Sequence, residues 1–445
     1  MNDELLNLAQ MAVDKAIKLG ATAADAIVVD SGSTSVSVRQ GKIEDVGRSE
    51  SRDIGLRVFA GQSSAIIAGS VLTPEAIGKL AERALSMAKL APPDPHAGIA
   101  EASQLAKNTR DLDLVDSQTL SPTKLQELAF ATEEAALAVA GVTKSNGAGS
   151  SASATHVALA ISNGFAQSYS RTGFGFSASV IAGEGTAMER DYDGTSALHF
   201  SDLETVDKIG RNAGERAVKR LNPRKLPSQT VPVIFDRRVA SSLIGHLIGA
   251  INGAGIARGV SFLKDDMGQA LFKPEITIVD DPLRLRGLAS RSFDGEGLAL
   301  GKRNLIDKGV LTGWVLDLRS ARQLGLAPTG GGSRGLGSQP GPSTSNVHME
   351  PGTRSPEEMM RAIGKGLMVT EFIGSSINSS TGDYSRGATG FWIENGEIQY
   401  PVSEITIAGN LKTMFASLEA ANDLIFKGSV NAPSCLIESM TLAGR

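Results

Sequence analysis

Helix and strand signals follow a fixed order in the first part of the chain. Residues 3–19 place apolar side chains at helical spacing and end at a glycine. Residues 26–47 and 55–68 alternate between apolar and polar side chains, which predicts strands. A Thr-Pro pair then opens a helix over residues 73–90, since threonine caps a helix and proline suits its first position.

The same order recurs further along the chain. A Ser-Pro pair at 121–122 opens a helix, and an Asn-Gly pair at 163–164 separates two alternating segments. Asn-Gly accepts the positive φ angles of a type I′ turn, so it predicts a β-hairpin. A further helix follows. Residues 1–90 and 118–222 are therefore candidates for a two-fold structural repeat, although no residue identity between them is obvious.

A polar, proline-punctuated segment, LNPRKLPSQTVP (residues 221–232), predicts a domain boundary. Beyond it, short strands and glycine-rich turns dominate, with a helix expected at about 355–370. The glycine-, proline- and serine-rich residues 325–346 are expected to form a long loop that is functional, mobile or both. A flexible loop is expected for residues 330–337 within it. We predict an α+β fold of two domains, an N-terminal helix/hairpin/helix domain (1–222) and a strand-rich C-terminal domain (228–445).

Composition limits the cell compartments and the binding partners that we expect for this chain. The chain has 445 residues and a formal charge of −4, so charge does not draw it to nucleic acid. Its start, MNDELLNLAQ, lacks the pattern of a signal peptide, and no apolar run approaches the ~20 residues of a membrane span. Cys435 is the single cysteine, which excludes an intrachain disulfide. We expect a cytoplasmic protein without direct nucleic-acid or membrane contact.

The stretch SSLIGHLIGAINGAG (residues 241–255) predicts an amphipathic helix with one unusual face. Its apolar side chains form a stripe, while His246 lies among glycine, alanine and serine. A helical zinc site needs a second imidazole about one turn away and a carboxylate, and neither is present. A histidine at a packed interface and a substrate or partner contact both remain possible interpretations of His246.

Four other segments carry candidate chemistry. Acidic side chains cluster at Asp280-Asp281 and at Asp294 with Glu296; paired acids serve general acid–base catalysis, but acids beside glycine or proline are more typical of turns. The glycine-rich GGGSRGLG segment lacks the residues of a phosphate-binding loop. The basic residues between 208 and 225 suit a solvated helix face, because no aromatic side chains are interleaved with them.

The segment TGDYSRGATGFW (residues 381–392) places polar side chains between glycines just before a strand. Ser385 has no partner base in sequence, so a nucleophilic role has little support. Arg386 suits either the binding of a carboxylate or a structural Arg–Asp pair.

Several long segments resemble one known family. LIGHLIGAINGAGIARGVSFLKDDMGQALF, SFDGEGL, NLIDKGVLTGWVLDLRSARQLGL and TGDYSRGATGFWIENGEIQYPVSEITIAGNL are similar to the TldD/PmbA family, and within it to the PmbA (TldE) branch. The N-terminal VSVRQGKIEDVGRSESRDIGLRVFAGQ also fits. The resemblance covers nearly the whole chain, and its 381–411 block is highly specific.

The resemblance implies a cytoplasmic two-subunit peptidase that cleaves unfolded peptides, including the leader of a modified peptide antibiotic. In the family, the TldD subunit carries an HExxxH zinc motif and a further cysteine ligand. The three motif positions correspond here to Gly245, His246 and Ala250, and Cys435 lies too late in the chain to replace the cysteine. The resemblance therefore implies no catalytic residues and no metal ligands in this chain, with zinc held by the partner subunit.

We expect this chain to be the zinc-free subunit of such a metallopeptidase, aiding substrate binding and assembly. It would pair with a TldD-type zinc-bearing subunit in a heterodimer or with itself in a homodimer, and would contact unfolded peptide. The residues expected to contact substrate or partner, through His246 and the 378–387 loop, are His246, Asn378, Asp383, Ser385 and Arg386.

Three alternatives remain open. A homodimeric, non-catalytic peptide-binding module would need no zinc-bearing subunit. A regulator of DNA topology matches an older family label, "modulator of DNA gyrase", but the acidic composition argues against direct DNA contact. A self-sufficient hydrolase would use carboxylates or Ser385.

Overall fold

A computed structural model describes residues 2–107 and 110–444. Its first half is an antiparallel sheet covered on one face by helices. The elements are α1 (Asn2–Lys18), β1 (Ala23–Arg39), β2 (Lys42–Ala60), β3 (Ser63–Gly69), α2 (Pro74–Leu90), α3 (Pro122–Leu137), β4 (Val142–Ile161), β5 (Ala166–Ala182), β6 (Glu189–Ala197) and α4 (Val206–Lys219), with short 3₁₀ turns at Ala102–Gln104, Gly185–Ala187 and Phe200–Asp202.

The two passes of helix, strands and helix form the two halves of one sheet. Its strand order is β3-β2-β1-β4-β5-β6, so each half contributes three adjacent strands. Strands β1 and β4 join the halves by antiparallel pairing, from Asp25 opposite Ile161 to Val38 opposite Ala148. Strand β1 begins three residues before the segment 26–47 that predicts it and ends within that segment.

The helices close the apolar side of this sheet. Helices α1 and α2 pack on β1, β2 and β4, whereas α3 and α4 pack on the far end of β1 and on β4 and β5. The predicted helix starts at Thr73 and Ser121 are confirmed, since each side chain accepts a backbone N–H of the first turn. Within the described part of the chain, no helix is long and apolar enough to cross a membrane.

A buried glutamate connects the two halves at the first hairpin. Gln40 and Gly41 form the turn between β1 and β2 with φ angles of 53° and 71°. Glu133 of α3 is only 2% exposed, and its two carboxylate oxygens accept the N–H groups of these turn residues at 2.8 Å each. A charged group this deeply buried needs such partners to offset its loss of hydration.

The second half combines a closed barrel with a smaller sheet. Its elements are β7 (Gln229–Phe235), α5 (Arg237–Ala250), α6 (Gly253–Ala257), β8 (Ile278–Asp280), β9 (Arg303–Asp307), β10 (Val310–Leu311), α7 (Leu318–Leu324), β11 (Gly332–Ser333), β12 (Gly341–Pro342), β13 (Val347–Met349), α8 (Pro356–Ile363), β14 (Gly366–Ile377), β15 (Asp383–Glu394), β16 (Glu397–Asn410), α9 (Leu411–Ser417), β17 (Glu419–Ala420), β18 (Val430–Asn431) and β19 (Cys435–Ala443).

The larger sheet of this half has the order β16-β15-β14-β7-β19-β17. An additional pairing joins β16 to β19, from Thr406 opposite Ala443 to Ala408 opposite Thr441, and so closes five of the strands into a ring. Closure leaves fewer strand edges open to other chains. The smaller sheet, β10-β9-β8-β13-β18, lies beside it, and together they confirm the α+β class.

Two sequence expectations need correction. The helix predicted to reach residue 370 ends at Ile363, because Gly364 adopts a φ of 63° and the apolar residues after it enter β14. Segment 330–337 is tied to the rest of the molecule instead of forming a flexible loop. Arg334 within it is fully buried and bonds Asp25 of β1, which also pairs with Arg57 at 2.6 Å.

A second ion network links the two halves of the chain. Arg220, at the end of α4, is 8% exposed and bonds the Glu371 carboxylate and, at 2.8 Å, the Thr389 hydroxyl, both on barrel strands. Arg238 of α5, in the second half of the chain, bonds Asp191 of β6, in the first half, at 2.7 Å. These pairs position α5 against the N-terminal sheet.

We predict that Glu133→Gln lowers the free energy of unfolding by about 1–3 kcal/mol, because one turn N–H then faces an amide donor in place of an acceptor. Urea denaturation measures the change. Glu134→Gln is the matched control, since Glu134 is the exposed neighbour on the same helix, and it should change stability little. Equal stability of the two variants would contradict the role given to Glu133.

Candidate functional site

Helix α5 presents two different faces. Asp236 caps it after β7 by accepting the Arg238 N–H at 2.9 Å. One face buries Leu243, Ile244 and Leu247 in the main core of the second half, as predicted. On the other face, a β-carbon added at Gly245 or Gly249 would meet no atom within 4 Å. This second face is open for contact with another molecule.

His246 lies between these two faces and packs against a buried tyrosine. Its ring meets the Tyr384 ring edge to face, with centroids 5.7 Å apart. The His246 Nε2 atom and the Tyr384 hydroxyl are both buried without a hydrogen-bond partner in the described chain. Burial lowers the pKa of His246, and the positive charge of Arg386 lowers it further, so the imidazole is neutral at physiological pH.

Arg386 completes this cluster. It shares a strand face with Tyr384, two residues away on β15. Its Nε donates to the Gly374 carbonyl at 3.0 Å, and its guanidinium lies 4.2 Å from the centre of the Phe372 ring. No carboxylate of the described residues pairs with Arg386, so the structural Arg–Asp pair considered from sequence does not form. Its charge stays available to a bound carboxylate.

The remaining predicted contact residues lie in the adjoining turn. Asn378 accepts the N–H groups of Ser380 and Thr381 through Oδ1. Asp383 accepts the Thr381 hydroxyl at 2.6 Å and the Asn410 amide at 3.2 Å. These bonds lower the pKa of Asp383 and shape the turn between β14 and β15.

Ser385 lies on the opposite strand face from Tyr384 and Arg386, because side chains alternate along β15. No described His, Asp or Glu side chain hydrogen-bonds to it. The structure therefore brings His246 and Arg386 together through Tyr384, and Asn378 with Asp383, but separates Ser385 from His246.

Tyr384 was not among the residues expected to contact substrate or partner. One sequence feature could have pointed to Tyr384: it alternates with Arg386 in a segment flanked by glycines. Local sequence could not show that Tyr384 is buried beside a helix more than 130 positions earlier in the chain.

The residues of the site do not fit a zinc ion. Gly245 and Ala250 offer no ligand atoms at the positions that flank His246. Among residues 2–107 and 110–444, no group of three or more His, Cys, Asp or Glu side chains could hold a metal ion. Cys435 is completely buried, with its sulfur 3.8 Å from that of Met349, and burial raises the pKa of its thiol.

Two of the acidic residues considered from sequence, Asp280 and Asp294, form structural contacts. Asp280 accepts the Ser345 N–H at 2.9 Å and pairs with Arg303 at 3.2 Å. Asp294 forms the turn expected of it, accepting the N–H groups of Glu296 and Leu298 at 2.9 Å.

Glu296 differs from an ordinary turn residue. It is 3% exposed, accepts the Leu318 N–H at 2.8 Å and lines a cavity of about 240 Å³. Burial, reinforced by the neighbouring Asp294 carboxylate, raises the pKa of Glu296 to about 8.

Comparison with known proteins identifies the family. Residues 228–444 match the PmbA/TldA metallopeptidase C-terminal domain, residues 116–221 the central domain, and residues 24–88 domain 1. The chain belongs to the PmbA/TldD metallopeptidase family, which confirms the resemblance inferred from its sequence.

Full-length relatives agree with this assignment. The chain is 39% identical to Metalloprotease PmbA of Escherichia coli, over 98% of this chain and 96% of the relative. It is 37% identical to the Metalloprotease PmbA homolog of Haemophilus influenzae, over 99% and 96%.

Solved structures share the fold along the whole chain. A putative modulator of DNA gyrase from Bacteroides thetaiotaomicron superposes with a TM-score of 0.92 at 30% identity, covering 100% of this chain and 99% of that one. TldE from Thermococcus kodakarensis has a TM-score of 0.85 at 22% identity, covering 98% and 99%.

Replacing Arg386 tests the electrostatics of the cluster. We predict that Arg386→Met raises the pKa of His246 toward, but not up to, its ordinary value, because the positive charge is removed while burial remains. Titration of the imidazole signal by NMR measures this, with His246→Gln identifying the signal. Arg83→Met, on exposed helix α2, is the control and should leave the titration unchanged. An unchanged pKa in Arg386→Met would contradict the assigned proximity.

Glu296 should make stability depend on pH. The folded chain keeps the Glu296 proton up to about pH 8, whereas the unfolded chain releases it near the ordinary value of 4.5. The unfolded state therefore binds fewer protons in this window, so the free energy of unfolding falls as pH rises, by at most ~1.4 kcal/mol per pH unit.

We predict that Glu296→Gln flattens this dependence, because glutamine does not titrate and can still accept the Leu318 N–H. Urea denaturation across the window measures the slope. The control, Glu275→Gln, replaces an exposed residue and should keep the slope of the parent chain. Parallel slopes in Glu296→Gln and the parent would show that Glu296 does not hold its proton.

Proposed function

We propose that this chain is a zinc-free subunit that pairs with a TldD-type zinc-bearing subunit and helps to hold an unfolded peptide for cleavage. The observation that carries the proposal is the open face of α5. Relatives of this chain are called metalloproteases, yet Gly245 and Ala250 supply no metal ligands. A second chain supplying the metal reconciles the family's chemistry with these residues.

The groups around α5 suit contact with a peptide or a sister subunit. Gly245 and Gly249 let another backbone approach the helix closely, since no side chain projects there. The His246 ring and the Arg386 guanidinium lie beside that face, and the guanidinium supplies a positive charge there. His246 and the 378–387 loop would then border the cavity shared by the two subunits.

Strand addition is a suitable means of holding an unfolded peptide. Strand β14 pairs with β7 only from Leu367 to Val369, so beyond this point its β7-side edge carries no described strand. Ile373 on this free segment is 63% exposed. Main-chain hydrogen bonds along such an edge give affinity with little sequence preference, which suits a peptidase of unfolded substrates.

A cytoplasmic location and the absence of direct nucleic-acid binding belong to the same proposal. The single cysteine gives no intrachain disulfide that would call for an oxidising compartment. Within the basic segment 208–225, Arg216 pairs with Asp193 at 3.1 Å and Arg220 is buried among acids, so neither is free to bind phosphates.

Metal analysis and peptidase assays test the proposal. The purified chain alone should hold no stoichiometric zinc and should not cleave casein, whereas its mixture with a TldD-type subunit should form a complex that cleaves casein and loses activity with a chelator. Zinc and activity in the lone chain would overturn the proposal. A stable homodimer that ignores the TldD-type subunit would instead favour the peptide-binding module.

The open face of α5 can be blocked without disturbing the core. Gly249→Arg should leave the lone chain folded, because its side chain enters free space and arginine favours helix more than glycine does. The mixture's activity should fall by about tenfold or more if this face meets substrate or partner. Glu134→Arg, on exposed α3 surface, is the control. Full activity with Gly249→Arg would place the face outside the shared cavity.

A further inference from the structure

A cavity of about 450 Å³ lies where the N-terminal sheet meets the barrel, at the opposite end of α5 from Ala250. Its volume is within the range of small-molecule sites, and such sites favour the junctions between domains. Part of its wall is apolar, formed by Met368, Phe391 and Ile398 of the barrel strands. The charged residues of the wall come from α4, β6 and the start of α5, and uncharged residues of β14 and β16 complete it.

The charged part of the wall is positive. Arg216, Lys219, Arg237 and Arg238 line the cavity, against only two carboxylates, those of Asp191 and Asp236.

Two of the four cations are already neutralised. Arg238 bonds Asp191 at 2.7 Å, and Arg216 pairs at 3.1 Å with Asp193, which lies outside the lining. Asp236 uses one carboxylate oxygen to cap α5. Lys219 and Arg237 have no carboxylate partner among the described residues, which leaves their two charges for a ligand.

Thr370 also lines the cavity and is 9% exposed. Its Oγ1 is buried, so we assign the ligand no contact with this hydroxyl.

We propose that this cavity binds an amphipathic anion, in which a single carboxylate is attached to an apolar group. The carboxylate would lie between Lys219 and Arg237 and accept their charge-assisted hydrogen bonds, while the apolar group would cover Met368, Phe391 and Ile398. Two sources share this chemistry: the free C-terminus of a peptide that ends in a large apolar residue, and a small apolar organic acid.

Calorimetric titration of the full chain alone tests the proposal without any second subunit, so its outcome is independent of the proposed peptidase role. The probes are N-acetyl-Gly-Gly-Phe and 3-phenylpropanoic acid, each compared with its uncharged carboxamide. At least one acid should bind about tenfold or more tightly than its amide, because the amide cannot form the ion pairs. Preference between the two acids identifies the source.

Substitutions locate the site. Lys219→Gln and Arg237→Gln should each weaken binding of the acid by about tenfold, and Ile398→Glu should abolish it by placing a negative charge beside the ligand. Ile398 is 46% exposed, so this variant should fold, and thermal melting verifies that it does. The control Arg211→Gln, on the exposed side of α4, should bind as the parent does.

Three results would overturn the proposal: neither acid binds, acids and amides bind equally, or Arg211→Gln weakens binding as much as Lys219→Gln and Arg237→Gln do.

Discussion

The buried guanidinium of Arg220 is the interaction on which the relation between the two halves of the molecule depends. It bonds Glu371 and Thr389 on the barrel strands and pairs with Asp191 of β6 at 3.3 Å. A buried charge is costly unless fully partnered, so the strands that carry these partners are held at α4. Arg238 bonds the same aspartate and thereby positions the start of α5. The cavity with unpaired Lys219 lies directly beside this network.

Helix α5 is held in place through one of its faces. Its stability comes from Leu243, Ile244 and Leu247, which face the core, whereas Gly245 faces open space. The residue at position 245 can therefore change with little effect on packing, whereas Ala250 belongs to the buried face. What remains on that side is a face suited to close contact, with His246 held neutral by burial and by the adjacent arginine.

The sequence predicted helix starts correctly where the stabilising contact lies within a few residues along the chain. The caps at Thr73 and Ser121 are of this kind, since both depend on a side chain within the first turn of the helix. The end of α8 was predicted too late, because the apolar residues after Gly364 fit a buried strand as well as a helix. Hydrophobic periodicity cannot distinguish a buried strand from a helix when the apolar run is short.

The sequence by itself determined an amphipathic helix through residues 241–250 and the family, because these follow from residue types at fixed local spacing. The predicted helix ran on to residue 255, whereas the structure ends it at Ala250 and begins a short second helix at Gly253. Only the tertiary structure decided that Tyr384 meets His246, that β16 closes the barrel on β19, and that Lys219 and Arg237 share one cavity. Each of these three arrangements brings together residues that are distant in the chain. Their proximity arises from the burial of apolar faces and the pairing of buried charges, which no local pattern encodes.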